Sequence, residues 1–139
     1  MNNVLFKSNK DDWETPQELF DKLNKEFEFT VDVASSDNNY KCEKHYTKKE
    51  DGLKQNWDNE VVWCNPPYGR QIEEWVKKAF FSNAITVMLI PARTDTKWFH
   101  KYIYKQDSVK IEFLKGRLKF GNAKNSAPFP SMIVVFYPF

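Results

Sequence analysis

Two short apolar runs, each with a proline within two residues of its end, constrain the fold of this chain more than any other feature of its sequence. Residues 61–64 and 85–90 lack the alternation of a half-exposed strand, and such runs are typical of strands that are buried on both faces. Between the runs, apolar side chains recur at helical spacing, namely Ile72, Trp75, Val76, Ala79 and Phe80. Strands that alternate with helices in this way predict a layered α/β fold with a mainly parallel sheet.

The segment before these runs predicts another helix and another strand. Thr15 is expected to be the N-cap of the helix, because Pro16 suits the first helical position and Glu18 completes a capping box. Residues 27–33 then alternate with period two, which indicates a strand with Asp32 near its carboxyl end. Residues 35–59 are polar and lysine-rich, and they predict a long loop with one short helical turn. Loops of this length are usually functional.

After the second apolar run, the sequence predicts a helix, a hairpin and a final apolar strand over residues 131–137. Thr94 or Asp95 is expected to cap the helix, and residues 109–114 and 118–120 flank a turn at Lys115-Gly116-Arg117. The complete order predicts a three-layer α/β sandwich whose mainly parallel sheet carries an antiparallel edge hairpin. No linker or repeat divides the 139 residues. We therefore expect one domain, 1–139, with residues 1–12 as a flexible N-terminal segment.

Composition excludes several classes of protein. A content of 41% hydrophobic and 17% aromatic residues argues against intrinsic disorder. No apolar run approaches the roughly 20 residues of a membrane-spanning helix, and residues 1–12 do not resemble a signal peptide. Two cysteines make no disulfide framework, so a cytoplasmic location is expected. The soft metal ligands lack the spacing of a zinc site, so no metal is expected; they are Cys42, His45, Cys64 and His100.

The distribution of charge is more informative than its sum. A net charge of +2 is too balanced to indicate a nucleic-acid-binding protein by itself. Residues 97–124, however, carry eight lysines and arginines against only Asp107 and Glu112. This pattern is compatible with an ordinary solvated face and with a surface that contacts phosphates.

Three segments are predicted to meet at the carboxyl edge of the sheet, where ligands of open parallel sheets bind. They are residues 32–34, 65–68 and 91–95. In Asn65-Pro66-Pro67-Tyr68, two prolines remove two backbone donors and fix two φ angles. The Asn65 side-chain oxygen and the Pro66 carbonyl could then accept both N–H bonds of a planar amine, and Tyr68 could stack on its ring. A rigid turn without chemistry is the alternative.

This string, together with other segments, resembles a known family. The segments are Trp13–Pro16, residues 29–34, Asp51-Gly52-Leu53, residues 63–69, residues 91–96 and Gly116-Arg117-Leu118. They are similar to the small, phage-type Dam family of DNA N6-adenine methyltransferases. The resemblance implies a Rossmann-like class I methyltransferase fold, S-adenosylmethionine as the methyl donor, and an adenine that is flipped out of DNA. If the protein is phage-encoded, the resemblance implies the cytoplasm of the host.

The resemblance also implies roles for individual residues. Asn65, Pro66, Pro67 and Tyr68 would hold the base as the catalytic residues. Thr15, Pro16, Asp32, Ala34 and Asp51 would lie near the donor, with the helix start and the strand-end carboxylate suited to its charged groups. From their positions at the rim and at the predicted hairpin tip, Arg93, Thr94, Lys97 and Arg117 are expected to contact DNA.

One departure from larger methyltransferases leaves other functions open. No glycine follows Asp32, where most enzymes of that fold carry a glycine-rich turn. A non-catalytic DNA-binding module is therefore one alternative. A second is an enzyme that methylates glutamine amides in proteins, because the same four-residue motif occurs there and an amide nitrogen poses the same chemical problem.

Overall fold

The computed structural model describes residues 11–139, so residues 1–10 of the predicted flexible segment lie outside the described part of the chain. The described residues form three α-helices, one 3-10 turn and five strands. The helices are α1 (Gln17–Phe27), α2 (Ile72–Phe81) and α3 (Lys97–Tyr102), and the 3-10 turn is Gly52–Lys54. The strands are β1 (Val31–Asp32), β2 (Val61–Cys64), β3 (Ile85–Pro91), β4 (Val109–Phe113) and β5 (Ser131–Phe136).

All five strands belong to one sheet, in the order β1-β2-β3-β5-β4. The β1–β2 and β2–β3 pairs are parallel, whereas β3–β5 and β4–β5 are antiparallel. The predicted mixture of helices and strands is confirmed, and the sheet itself is mixed. Residues 62–64 and 86–91 are all buried, as their apolar runs predict. Within residues 11–139, every helix is too short or too polar to cross a membrane.

The predicted cap of α1 is wrong. Pro16 occupies the N-cap position, with φ −58° and ψ 132°, and no side chain caps the helix. Thr15 is buried, and its hydroxyl accepts a hydrogen bond from the distant Asn65 instead. The cap of α3 also differs from both predictions, because it is Thr96, one residue after Asp95 and two after Thr94; its hydroxyl accepts from the Phe99 amide at 3.3 Å.

The predicted hairpin is wrong as well. Residues 118–120 form no strand, and β4 pairs with β5. Phe120 is 1% exposed and packs against Trp13, with ring centroids 5.3 Å apart. The Gly121 amide donates to the Glu14 carbonyl at 2.8 Å. Packing against the N-terminal segment thus takes residues 118–120 away from β4, and the antiparallel edge of the sheet is built by β5 and β4.

The long loop after β1 folds back onto that strand. The Asp32 amide donates to the Lys44 carbonyl at 3.1 Å, and the Tyr46 amide donates to the Asp32 carbonyl at 2.9 Å. The short helical turn predicted for this loop is the 3-10 turn that begins at Gly52. A Cβ atom on Gly52 would lie 1.9 Å from the Val33 carbonyl oxygen. The loop can therefore approach the end of β1 only because residue 52 has no side chain.

We expect Gly52→Ala to destabilise the protein by about 2–3 kcal/mol, because backbone must move to relieve the overlap with Val33. Urea unfolding measures this difference. Gly121→Ala is the matched control, since its nearest neighbours would lie at 3.6 Å, and it should stay within about 1 kcal/mol of wild type. Equal stabilities of the two variants would contradict the close approach.

Candidate active site

A cleft of about 650 Å³ opens at the carboxyl ends of β1 and β2. It brings together most of the residues that the sequence singled out. Thr15, Asp32, Ala34 and Asp51 line it, as do Asn65, Pro66 and Pro67. Pro16 and Tyr68 are not among the lining residues. The cleft volume lies within the range of roughly 300–1,000 Å³ that is usual for small-molecule sites.

The side-chain amide of Asn65 is held from one side. Its Nδ2 group donates to the Trp13 carbonyl and, at 2.8 Å, to the Thr15 hydroxyl. Both amide hydrogens are therefore engaged. Because a backbone carbonyl can only accept, this contact fixes which end of the amide carries the oxygen. The acceptor Oδ1 must lie on the opposite side of the group.

Tyr68 contacts the side chain of Asn65 and does not line the cleft. Its hydroxyl lies 2.7 Å from Asn65 Oδ1 and 2.8 Å from the Leu89 carbonyl oxygen, and its single proton serves one acceptor at a time. Burial raises the pKa of Tyr68 well above its ordinary value, so the hydroxyl stays protonated. The Tyr68 ring is 4% exposed and meets Phe120 and Phe129 edge-on.

The diproline turn leaves acceptors without local donors. Among residues 11–139, no hydrogen bond reaches the Pro66 carbonyl, and neither proline has an N–H of its own. Asn65 Oδ1 keeps at least one lone pair, because each amide oxygen can accept two hydrogen bonds. The turn thus offers two acceptors beside the cleft, which is the set that a planar group with two N–H bonds requires.

Asp32 is a buried carboxyl group and not the solvated strand-end acid that one would expect by default. It is 3% exposed, and its two oxygens accept from the Ala34 and Lys41 amides at 3.2 and 2.9 Å. Burial raises its pKa above the ordinary value, and the two backbone hydrogen bonds oppose this effect. The carboxyl group therefore shapes the loop from residue 34 to 41 around the cleft, and each oxygen retains a lone pair for a ligand.

The charges around the cleft favour a cationic ligand. The lining carries five acidic and three basic side chains, namely Asp12, Glu14, Asp32, Asp37, Asp51, Lys41, Lys48 and Lys49. Two of these side chains form an ion pair, in which Lys48 Nζ lies 3.9 Å from a carboxylate oxygen of Asp12. The Asp51 carboxylate also accepts from the Leu53 amide at 3.1 Å, which positions it at the start of the 3-10 turn.

The residues predicted to contact DNA lie outside the cleft. Arg93, Thr94, Lys97 and Arg117 are all exposed, and none lines the cleft. Residues 113–130 contain four lysines and arginines and no acidic residue. These positions suit contacts with an extended anion around the cleft and not with a small ligand inside it.

Two residues of the site escape prediction from sequence. The Trp13 carbonyl holds Asn65, and Asn122 lines the cleft from the segment between β4 and β5. Trp13 is conspicuous only as part of the family pattern, and no periodicity or motif marks Asn122. Both act through tertiary hydrogen bonds, which leave no local signal.

The cysteines and histidines give no sign of other chemistry. Residues 11–139 hold no group of three or more potential metal ligands. Burial raises the pKa of the Cys42 thiol to about 12, and burial also raises the pKa of the fully buried Cys64 thiol well above its ordinary value. Neither thiol is therefore a nucleophile near neutral pH.

Comparison with known proteins agrees with this geometry. The family model for DNA N-6-adenine-methyltransferase (Dam) matches residues 2–139. A DNA N-6-adenine-methyltransferase of Escherichia phage T1 is 36% identical over 115 residues, which cover 78% of this chain and 47% of the relative. One from Haemophilus phage HP1 is 26% identical over 142 residues, covering 95% of this chain and 82% of the relative. This chain thus spans about half the length of the T1 relative.

We expect Thr15→Ala and Asn65→Ala to be energetically coupled, because Thr15 accepts a hydrogen bond from Asn65 and does not cap α1. Urea unfolding of the wild type, both single variants and the double variant should give a coupling energy of about 1 kcal/mol. Thr96→Ala, which removes a true helix cap, should be additive with Asn65→Ala. A coupling energy near zero for the first pair would refute the contact.

Proposed function

This chain belongs to the Dam family of DNA N-6-adenine-methyltransferases, and we propose that it methylates the N6 amino group of adenine in DNA with S-adenosylmethionine as the methyl donor. The observation that carries this proposal is the pair of acceptors at the diproline turn. Asn65 and Pro66 line a cleft that also contains four of the five predicted donor contacts, namely Thr15, Asp32, Ala34 and Asp51.

The acceptor pair can make the nitrogen of an aromatic amine a better nucleophile. The lone pair of adenine N6 is delocalised into the ring, so the nitrogen is a weak nucleophile. Asn65 Oδ1 and the Pro66 carbonyl can accept its two N–H bonds, favour a pyramidal nitrogen and stabilise the positive charge that develops there. Since the amine is paired inside duplex DNA, the base must leave the stack to reach these groups.

The residues around the cleft suit S-adenosylmethionine. Bound there, it would supply a methyl group on a sulfonium sulfur, so the reaction is an in-line displacement that depends on positioning more than on a strong base. Thr15, Asp32, Ala34 and Asp51 line the cleft, and Pro16 adjoins it at the start of α1. The free lone pairs of Asp32 and Asp51 can accept from hydroxyl or ammonium groups, and the excess of carboxylates favours a cation.

The strand directions support a reduced Rossmann-like methyltransferase fold. Because β5 is antiparallel to both of its neighbours, β4 runs in the same direction as β1, β2 and β3. Four of the five strands therefore point their carboxyl ends toward the edge where the cleft lies. We propose that helices on both faces complete a three-layer arrangement in a single domain.

Tyr68 has a different immediate role from the one that its sequence position indicates. Its hydroxyl braces Asn65, and its ring is enclosed by Phe120 and Phe129. Stacking of a flipped adenine on this ring stays a prediction of the family resemblance. It requires that the segment carrying Phe120 and Phe129 move when DNA binds.

We expect Asn65→Ala to abolish formation of N6-methyladenine while the protein stays folded, because the variant loses one of the two acceptors for the amine. Labelled S-adenosylmethionine is incubated with DNA, and the DNA is digested to nucleosides and analysed. Asn83→Ala is the control and should keep full activity, because Asn83 is exposed and lies before the amino end of β3, opposite the cleft. Near-normal turnover of Asn65→Ala would refute the role of Asn65.

The same assay separates the alternative functions. Label that enters protein extracts but never DNA would indicate methylation of glutamine amides. Failure of the wild-type protein to bind S-adenosylmethionine at millimolar concentration in a calorimetric titration would indicate a DNA-binding module without catalysis.

We expect Arg117→Ala to weaken DNA binding and to lower the slope of log K against log salt by about one, because the variant releases one counterion fewer. Fluorescence anisotropy at several salt concentrations measures the slope. Lys25→Ala is the control, since Lys25 lies in the last turn of α1, away from the carboxyl edge of the sheet. A slope unchanged from wild type would argue against a phosphate contact at Arg117.

A further inference from the structure

We propose that Asn122 is a positioning residue that orients Asn65 through the carbonyl group of Trp13. This inference rests on the proposed function, because it assigns a role in the same reaction. Asn122 is 57 positions away from Asn65 in the sequence and makes no direct hydrogen bond with it. The connection runs through residues 11–15, which we call the bridging segment.

The bridging segment has no regular secondary structure after residue 11, yet it is tied to two other parts of the chain. On one side it holds the catalytic turn, because the Asp11 carbonyl accepts from the Tyr68 amide at 2.9 Å and the Trp13 carbonyl accepts from Asn65. On the other side it is held by the loop between β4 and β5. The segment therefore transmits the position of that loop to the turn.

Asn122 makes hydrogen bonds with the bridging segment on both sides of Trp13. Its Oδ1 accepts from the Glu14 amide at 3.0 Å, and its Nδ2 donates to the Asp12 carbonyl at 2.9 Å. The neighbouring Gly121 amide adds a hydrogen bond to the Glu14 carbonyl. The side chain of Asn122 thus accepts one backbone hydrogen bond and donates another, as the backbone of a neighbouring β-strand would. These contacts lie on both sides of the Trp13 carbonyl, which accepts from Asn65 together with the Thr15 hydroxyl of the same segment.

The direction of Asn65 Oδ1 depends on this arrangement. Both hydrogens of the Asn65 amide are used by the bridging segment, at Trp13 and Thr15. If the Trp13 carbonyl turns away, the amide loses the contact that distinguishes its nitrogen from its oxygen. The acceptor is then no longer fixed toward the substrate amine, and a displacement of about 1 Å can cost roughly 100-fold in rate.

The test compares Asn122→Ala and Asn122→Asp with wild type. Asn122→Asp keeps the acceptor for Glu14 but opposes a carboxylate to the Asp12 carbonyl. Asn83→Ala and Asn83→Asp are matched controls at an exposed position before the amino end of β3, at the edge of the sheet opposite the cleft. We expect both Asn122 variants to lower kcat by about 10- to 100-fold while KM for S-adenosylmethionine changes by less than about 3-fold. The Asn83 variants should match wild type.

A spectroscopic measurement makes the test independent of activity. The side-chain amide resonances of Asn65 are identified in ¹⁵N-edited NMR spectra by their loss in Asn65→Ala. In wild type they should be protected from solvent exchange, and in the Asn122 variants they should shift and lose protection. If these resonances are unchanged in both variants, or if kcat stays within about 2-fold of wild type, the proposal is overturned.

The two measurements also separate this inference from the proposed function. Should wild-type protein leave DNA unmethylated while the Asn65 resonances still respond to Asn122, the proposed reaction fails and the structural link holds. If Asn122→Ala does not fold, Asn122→Asp alone decides, because it retains the side-chain volume and one of the two hydrogen bonds.

Discussion

The hydrogen bonds that hold the side-chain amide of Asn65 are the constraint on which the rest of the site depends. Trp13 and Thr15 take both amide hydrogens, and Tyr68 meets the oxygen from the protein side. A free asparagine at a strand end rotates and can present either its nitrogen or its oxygen. Here only the oxygen is available as a further acceptor, so a rotatable polar group becomes a fixed element of the cleft.

The diproline turn complements this arrangement because the rings of Pro66 and Pro67 keep its backbone rigid without N–H donors of their own. Two missing N–H groups leave nearby carbonyls free, and the fixed φ angles keep them in place. The cleft next to the turn is walled by Asp32 and by the loop that its buried carboxyl group organises. The cleft thus places hydrogen-bond acceptors beside carboxylates, which is the arrangement that the proposed methyl transfer from a cationic donor to an amine requires.

Local patterns predicted the elements whose signals are local. β2, β3, α2 and β5 lie where their apolar runs and periodicities indicated, because burial on a sheet or helix face imposes a fixed spacing. The cap of α1 and the hairpin failed for a shared reason. Thr15 fits the local pattern of a helix cap, and residues 118–120 fit that of a strand. In the folded protein, Thr15 instead accepts a hydrogen bond from Asn65, and Phe120 packs against Trp13. In both places a distant contact prevailed over a local preference.

By itself, the sequence determined which chemical groups the candidate site contains: the acceptors that follow a buried strand, the carboxylates predicted to lie near them, and the family that those segments resemble. Tertiary structure alone decided how the groups are aimed. Gly52 approaches the end of β1, which lacks a glycine of its own, and Asn122 reaches across 108 and 110 positions to Glu14 and Asp12. These contacts have no period and no motif, because they join loops whose relative positions exist only after the sheet has formed.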